Sequence, residues 1–374
     1  MSNATPIPNE EVLDGISAFP PALTGDLLSG VLVAWCQGGQ LFLASEQDTP
    51  PFNPVLVNEN WNSQAAPAVA IADKWARVYL SWANPKGDIY PGSSVDGFIE
   101  QIPISRSGSD GDGPALAFSD DILFIAWRKN LMLCWATCDF NGIITVHDQS
   151  DEQVMCSRPS LSWSNGALFA LSGGGDESAD NSMRAWCSRD NGGSFAPIQL
   201  PSYATLGPPS LGIFDDRYYL AWADASEAQL NTAVTQDLSQ FTATTFDNGC
   251  HDGGPALLAF PDRLVIGWSY GAPPKDPRSH HVTIGELPVA AVVNLELERA
   301  RLEARRGVGA PQPKCDPLSI WDPAEAKCVP KYGCAGNCVV SSFNSIGGYL
   351  VFNPIRYALC MIACKPTRAN PPVA

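Results

Sequence analysis

The chain has 374 residues, enough for one large domain and a small one, and 45% of them are hydrophobic, normal for a protein with an extensive core. Asp and Glu outnumber Lys and Arg by 39 to 23, a formal net charge of -16, which repels phosphate and argues against nucleic acid or an anionic membrane as partner. Four histidines, scattered at 147, 251, 280 and 281, are too few for a His-rich metal site, and the sequence carries no cofactor motif.

The N-terminus, "MSNATPIPNEEVLDG", has neither the basic nor the apolar region of a secretory signal. No apolar run reaches the roughly 18 residues a membrane-spanning helix needs. The segment "EEVLDGISAF" at 10–19 reads as one isolated strand.

From Pro21 onward the chain repeats itself. The phrase "GPALAFSDDILFIAW" at 113–127 returns as "GPPSLGIFDDRYYLAW" at 207–222 and "GGPALLAFPDRLVIGW" at 253–268. Anchored on their prolines, six copies begin at Pro21, Pro67, Pro114, Pro159, Pro209 and Pro255, with steps of 46, 47, 45, 50 and 46 residues. Five copies end their second apolar run in Trp35, Trp82, Trp127, Trp222 or Trp268; the fourth has Ser172 there.

Each copy reads as short strands. An apolar run precedes a two-residue turn, such as Asn165-Gly166 or Asp215-Asp216, whose residue types suit the positive φ of tight hairpins. A strand rich in Leu, Ile, Val, Tyr and Trp follows, then a polar loop, a third strand and a looser fourth segment. Four strands in about 46 residues is the period of a β-propeller blade.

A second signal keeps phase with the first. After the third strand come Ser94-x-Asp96, Thr137-x-Asp139, Ser188-x-Asp190 and Thr235-x-Asp237, the fullest being "SRDNGGSF" with Ser188, Asp190, Gly192 and Phe195. This resembles the Asp-box of sialidase-superfamily β-propellers, a turn in which Asp caps backbone amides, Gly takes positive φ and the aromatic packs into the blade. The resemblance implies a propeller and gives these four residues a structural role. It also implies what a sialidase would need: three arginines to clamp a carboxylate, the first in an R-I-P motif near the N-terminus. No arginine precedes Arg77, and "QIPIS" at 101–105 lacks one, so the sialidase catalytic set is not expected.

The sixth copy supplies three strands, and the 10–19 segment fills the slot of its missing fourth, shutting the ring and removing a free edge. The expected fold is therefore all-β: a six-bladed propeller of four-stranded blades over residues 1–287, then a helix and a small Cys-rich module. The helix is read over 288–308, with Pro at its start and Gly307 at its end. The module, 309–374, holds Cys315, Cys328, Cys334, Cys338, Cys360 and Cys364, which reads as a disulfide framework. Two C-x3-C pairs allow Cys334–Cys364, Cys338–Cys360 and Cys315–Cys328, one of fifteen connectivities. The six cysteines inside the blades read as buried small hydrophobes.

No nucleophile elbow, zincin or phosphate-binding motif occurs. Asp110 and Asp112 in "SGSDGDG" read as turn formers. Binding candidates are residues that break the repeat in loops: Trp61, Arg128, Asn130, Arg184, Asp224 and Tyr270. Together these readings point to a non-catalytic, lectin-like propeller that meets a glycan or glycoprotein outside the cell, with cytoplasmic residence as the alternative. A glycoside hydrolase with a central carboxylate pair, or a scaffold delivering its tail as toxin or adhesin, are the competing functions.

Overall fold

The computed structural model describes residues 7–288, except 18, 28, 73–76, 95–102, 105–106, 120, 140, 148–154, 174–180, 251–252 and 271–280, together with the backbone of four short strands between 319 and 352. The first strand, β1 (Glu11–Ile16), precedes the repeats. Blade one is β2 (Ala22–Asp26), β3 (Gly30–Gln37), β4 (Gln40–Ser45) and β5 (Val55–Leu56). Blade two is β6 (Ala68–Ala72), β7 (Arg77–Ala83) and β8 (Ile89–Ser93), and the slot of its fourth strand lies outside the described residues. Blade three is β9 (Ala115–Phe118), β10 (Leu123–Lys129), β11 (Met132–Cys138) and β12 (Ile144–Val146). Blade four is β13 (Ser160–Ser164), β14 (Ala167–Ser172), β15 (Arg184–Ser188) and β16 (Ala196–Ile198). Blade five is β17 (Ser210–Phe214), β18 (Arg217–Ala223), β19 (Gln229–Thr235) and β20 (Thr242–Gly249). Blade six is β21 (Ala256–Ala259), β22 (Leu264–Tyr270) and β23 (His281–Leu287), completed by β1, which pairs antiparallel with β23 through Glu11↔Ile284 and Val12↔Thr283.

The ring closes on its inner strands. β2 touches β6, β6 touches β9, and so on through β13, β17 and β21 back to β2. The protein is thus a six-bladed β-propeller with first strands around the axis. Each sheet is covered on both faces by its neighbours, so the middles of the second strands are continuously apolar rather than alternating, with charged residues such as Arg77, Arg128 and Arg217 at their ends. "GVLVAWC" in β3 is buried at every position. The hydrophobic core is accordingly divided into clusters between adjacent blades. One joins Leu32, Leu41 and Leu43 of blade one to Val69, Leu80 and Trp82 of blade two. Another joins Val31, Val33 and Trp35 to Val265, Val282 and Ile284 across the closing seam. The recurrent tryptophans are core residues, between 0% and 3% exposed at Trp35, Trp82, Trp127, Trp222 and Trp268.

The turns form as their residues dictate. Asn165 and Gly166 both have positive φ, 50° and 72°, as do Asp215 and Asp216 at 50° and 56°. At the Ser188–Phe195 turn, Ser188 Oγ donates to Asp190 Oδ1 (2.7 Å) and accepts from the Gly192 amide (2.8 Å). The Ser194 amide and hydroxyl donate to the two Asp190 oxygens at 2.9 and 2.7 Å. Those bonds hold the Asp190 carboxyl down to about 2. Gly192 sits at φ 82°, its carbonyl accepts from Trp135 Nε1 at 3.0 Å, and Phe195 packs edge-on to Trp135 at 5.1 Å.

All six blade cysteines are free thiols, four of them buried, and burial pushes those of Cys36, Cys134 and Cys138 up to about 11. In the C-terminal region two hairpins are described, β24 (Ser319–Asp322) with β25 (Lys327–Pro330), and β26 (Phe343–Ile346) with β27 (Tyr349–Phe352). The helix expected over 288–308 and the expected disulfide pairings lie outside the described residues.

Candidate functional site

First and second strands run antiparallel, so the start of every first strand and the end of every second strand share one rim: Ala115↔Ala126, Ser210↔Ala221 and Ala256↔Gly267 show the register. Arg128, Asn130, Arg184, Asp224 and Tyr270 all fall at this rim, near second-strand ends or third-strand starts. Trp61 does not belong with them. It is 1% exposed and stacks on Trp82 with centroids 3.8 Å apart, a core position that presents no face to a ligand.

The rim is most regular just before each repeat proline. The pre-proline residues are Pro20, Ala66, Gly113, Arg158, Pro208 and Gly254, small or Pro in every blade but the fourth. This ring is tight. Gly113 at φ 95° abuts the Ala66 carbonyl, and Gly254 at φ 79° abuts that of Pro208, leaving no room for a Cβ. Four residues before the proline, Ser17, Ser63 and Thr205 each donate a buried hydroxyl to the carbonyl two residues on, at 2.7, 2.9 and 2.8 Å. Blades three, four and six have Asp110, Met155 and His251 at that position instead.

The departures of blades three and four lie at the seam between these two blades. Asp110 accepts the Asn130 amide on Oδ1 (2.9 Å) and the Leu131 amide on Oδ2 (3.1 Å). Both those residues have positive φ, 53° and 63°, so Asp110 fastens a strained β10–β11 hairpin. Arg128 Nε lies 3.3 Å from Asp110 Oδ2 and 2.9 Å from Asp112 Oδ2, an ion pair without the N–H alignment of a hydrogen bond. Its Nη1 donates to the Cys156 carbonyl at 2.7 Å, tying blade three to the loop that begins blade four. The side chains of Arg128, Asp110 and Asp112 remain 17%, 24% and 27% exposed, so the cluster is open to solvent at its edge.

Arg158 stands in the loop that Arg128 and Ser172 hold, within electrostatic reach of Asp112. Burial lowers its guanidinium to about 10, opposed by the nearby Asp112 charge. Burial likewise raises the Asp112 carboxyl, opposed by Arg128. Asp112 Oδ1 and Arg158 Nε have no protein hydrogen-bond partner.

Ser172 explains how blade four accommodates this. Its Oγ accepts from the amides of Cys156 (3.0 Å) and Ser157 (3.1 Å), holding the loop that carries Arg158. A tryptophan, as other blades have there, offers no acceptor to those amides. Arg184, expected to bind from a rim loop, is the cross-strand partner of Ser172 and so borders the same seam.

The other candidates stand apart from it. Asp224 accepts from the Ser226 amide (2.8 Å) and hydroxyl (2.5 Å) and caps its own turn; burial would raise its carboxyl, but these bonds outweigh that and lower it. Tyr270 on blade six is 42% exposed, its ring lying against Gly249. Asp110 and Asp112, read from sequence as turn formers of their own loop, both lie against Arg128, and Asp110 caps the β10–β11 hairpin rather than its own turn. A shallow cleft of about 530 Å³ lies elsewhere, lined by Arg217, Thr235, Asp237, Ser239, Gln240 and Thr242 beside the blade-five turn. It holds no comparable grouping of opposed charges.

Asp112 and Arg158 were missed from sequence, although the signal was present. Arg158 is the one long side chain in the pre-proline series, and it sits 14 residues before the one missing tryptophan. Chemically, the cluster offers guanidinium donors and a carboxylate acceptor fixed side by side, the complement of adjacent hydroxyls.

No protein-family model matches the sequence, and no curated protein sequence matches it. Solved structures do. A Hadza microbial sialidase is 12% identical over 73% of this chain with a TM-score of 0.52. The Trypanosoma rangeli sialidase in complex with sialic acid is 10% identical over 84%, with a TM-score of 0.51. This chain covers 66% and 64% of those two proteins' lengths. A neuraminidase-like protein of A/little yellow-shouldered bat/Guatemala is 8% identical over 77% of this chain and 99% of its own, with a TM-score of 0.51. At such identities the likeness is one of fold, and the chain is a six-bladed β-propeller of the architecture seen in sialidases and neuraminidases.

Proposed function

We propose that this protein binds glycans without cleaving them, through a single site at the rim where blades three and four meet. The observation that carries the reading is the convergence of four repeat-breaking residues, Asp110, Met155, Arg158 and Ser172, on one seam. Repeats alone call for none of these departures, and together they set paired Asp and Arg groups at a partly exposed edge. Fixed carboxylate and guanidinium groups satisfy sugar hydroxyls as acceptor and donor at once.

Binding rather than hydrolysis is supported by the state of the two carboxylates. A glycosidase needs two acids flanking the sugar bond from opposite sides. Here Asp110 is engaged by two backbone amides, and both acids lie against the same Arg128. In this reading the domains are the propeller over 1–287, a linker over 288–308 and a disulfide-rich module over 309–374, placed outside the cell. The Ser188–Phe195 turn is an Asp-box with a structural role only.

A glycan array probed with the full chain, followed by titration calorimetry on the best ligand, tests the proposal. The expected result is one binding site per chain. Hydrolysis of chromogenic glycosides by the purified protein would reverse it.

A further inference from the structure

The charges around the seam specify more than the presence of a site. We infer that it selects uncharged sugars presenting adjacent hydroxyls and rejects sugars bearing a carboxylate; this rests on the glycan-binding reading above. Asp110, Asp112, Arg128 and Arg158 contribute two negative and two positive groups, and Arg184 borders them as the cross-strand partner of Ser172. Lys129, next along β10, leaves the opposite face of the strand, and its ammonium lies beside Gly108 of the loop that carries Asp110. Arg128 is already committed, to both carboxylates and to the Cys156 carbonyl. Arg158 is compensated by Asp112. Neither guanidinium is therefore a vacant cation awaiting an anionic ligand.

An incoming carboxylate would have to compete with Asp112, 2.9 Å from Arg128 Nε, for the same guanidinium groups, and it would sit beside that carboxyl in a partly buried setting. Like charges a few ångströms apart in such surroundings repel strongly. The chain's formal charge of -16 adds repulsion at longer range. A pair of neighbouring hydroxyls meets no such conflict. One hydroxyl would meet the exposed edge of Asp112 and its neighbour that of Arg128, while the buried Asp112 Oδ1 and Arg158 Nε stay within the protein. The distinguishing element is the repulsive Asp112, which costs a neutral sugar nothing and an acidic one its binding.

The test compares matched glycans that differ only in a neutral or a carboxylated terminus, sialic or uronic acid, on the full chain. Neutral termini should bind at least about tenfold more tightly, and in Asp112→Asn, measured at a temperature where circular dichroism shows the variant folded, that ratio should narrow by about tenfold. Salt gives a readout that needs no variant. Raising ionic strength should strengthen the residual binding of carboxylated termini, because it screens repulsion, and leave neutral termini unchanged. Equal or tighter binding of carboxylated termini, weakened by salt, overturns the selectivity while leaving glycan binding intact. Absence of binding to any glycan overturns both.

Discussion

Arg263 grips Glu46 across the seam between the last blade and the first, its Nη2 2.7 Å from Glu46 Oε2, while Nη1 reaches Glu286 at 3.0 Å. The guanidinium also lies 4.8 Å from the centre of the Phe260 ring. Glu46 in turn accepts the Val31 amide at 3.0 Å, and Glu286 accepts from Asn9 at 2.7 Å. One side chain thus links the N-terminal segment, blade one and blade six where the ring shuts. Burial alone would raise the Glu46 carboxyl, but the Arg263 bonds and the Val31 amide outweigh it and hold it below its ordinary value.

Replacing Arg263 with Met should destabilise the propeller by about 1–2 kcal/mol, between the values for exposed and buried pairs, because all three charged groups are about one-third exposed. Since the folded Glu46 carboxyl lies below its unfolded value of about 4.3, its contribution is present above that pH and lost as pH falls through the folded value. Denaturant titrations between about pH 7 and 3 should show this loss in wild type, and Glu46→Gln should flatten it.

Asp190 should act in the same direction and more weakly. Its carboxyl sits at about 2 in the folded protein against about 3.9 unfolded, so its contribution fades as pH falls from about 4 towards 2. The group is solvent-exposed and screened. Asp190→Ala should therefore lower the melting temperature slightly at pH 7 and not at all near pH 2.

Ser172→Ala removes the acceptor shared by the Cys156 and Ser157 amides in a fully buried setting, at 0% exposure. The expected loss is about 1–3 kcal/mol in denaturant unfolding. Because those amides hold the loop bearing Arg158, glycan affinity should fall as well. Serine to alanine at Ser63, whose hydroxyl donates to the Ala65 carbonyl in another blade, should cost stability alone.

Gly113→Ala should destabilise by about 2 kcal/mol or more. It forces a side chain into φ 95° and drives its Cβ against the Ala66 carbonyl of the preceding blade. Unfolding measurements on Gly111→Ala make the control, since Gly111 has φ 92° but open space around it, so the difference reports the inter-blade clash.

Trp61→Ala tests the reassignment of that residue to the core. Loss of a stacked, buried indole should cost about 3–5 kcal/mol. The folded fraction should keep its ligand affinity, which a binding role for Trp61 does not allow.

The six-fold period, the Asn-Gly and Asp-Asp turns and the buried tryptophans were all legible in the sequence. Each is a local pattern repeated in phase, and repetition separates signal from accident. The place of 10–19 was legible too, since a missing fourth strand at one end and a spare strand at the other leave one closed arrangement. Trp61 was misread because it lies in a loop by sequence, and nothing local states that this loop folds inward onto Trp82.

The rim site was half legible. Arg128 and Asn130 stood out as breaks in the repeat, while Arg158 and Asp112 passed as ordinary loop residues. Their setting depends on adjacency between blades, because Arg128 reaches the Cys156 carbonyl of the loop that opens blade four only when the ring is assembled.

The chain by itself determined the blade, because hydrogen-bonded strands, tight turns and apolar runs depend on neighbours within one period of about 46 residues. Only the closed ring decided which side chains face one another across a seam. Opposite charges are chosen as partners by distance, and that distance is set by the packing of one blade against the next.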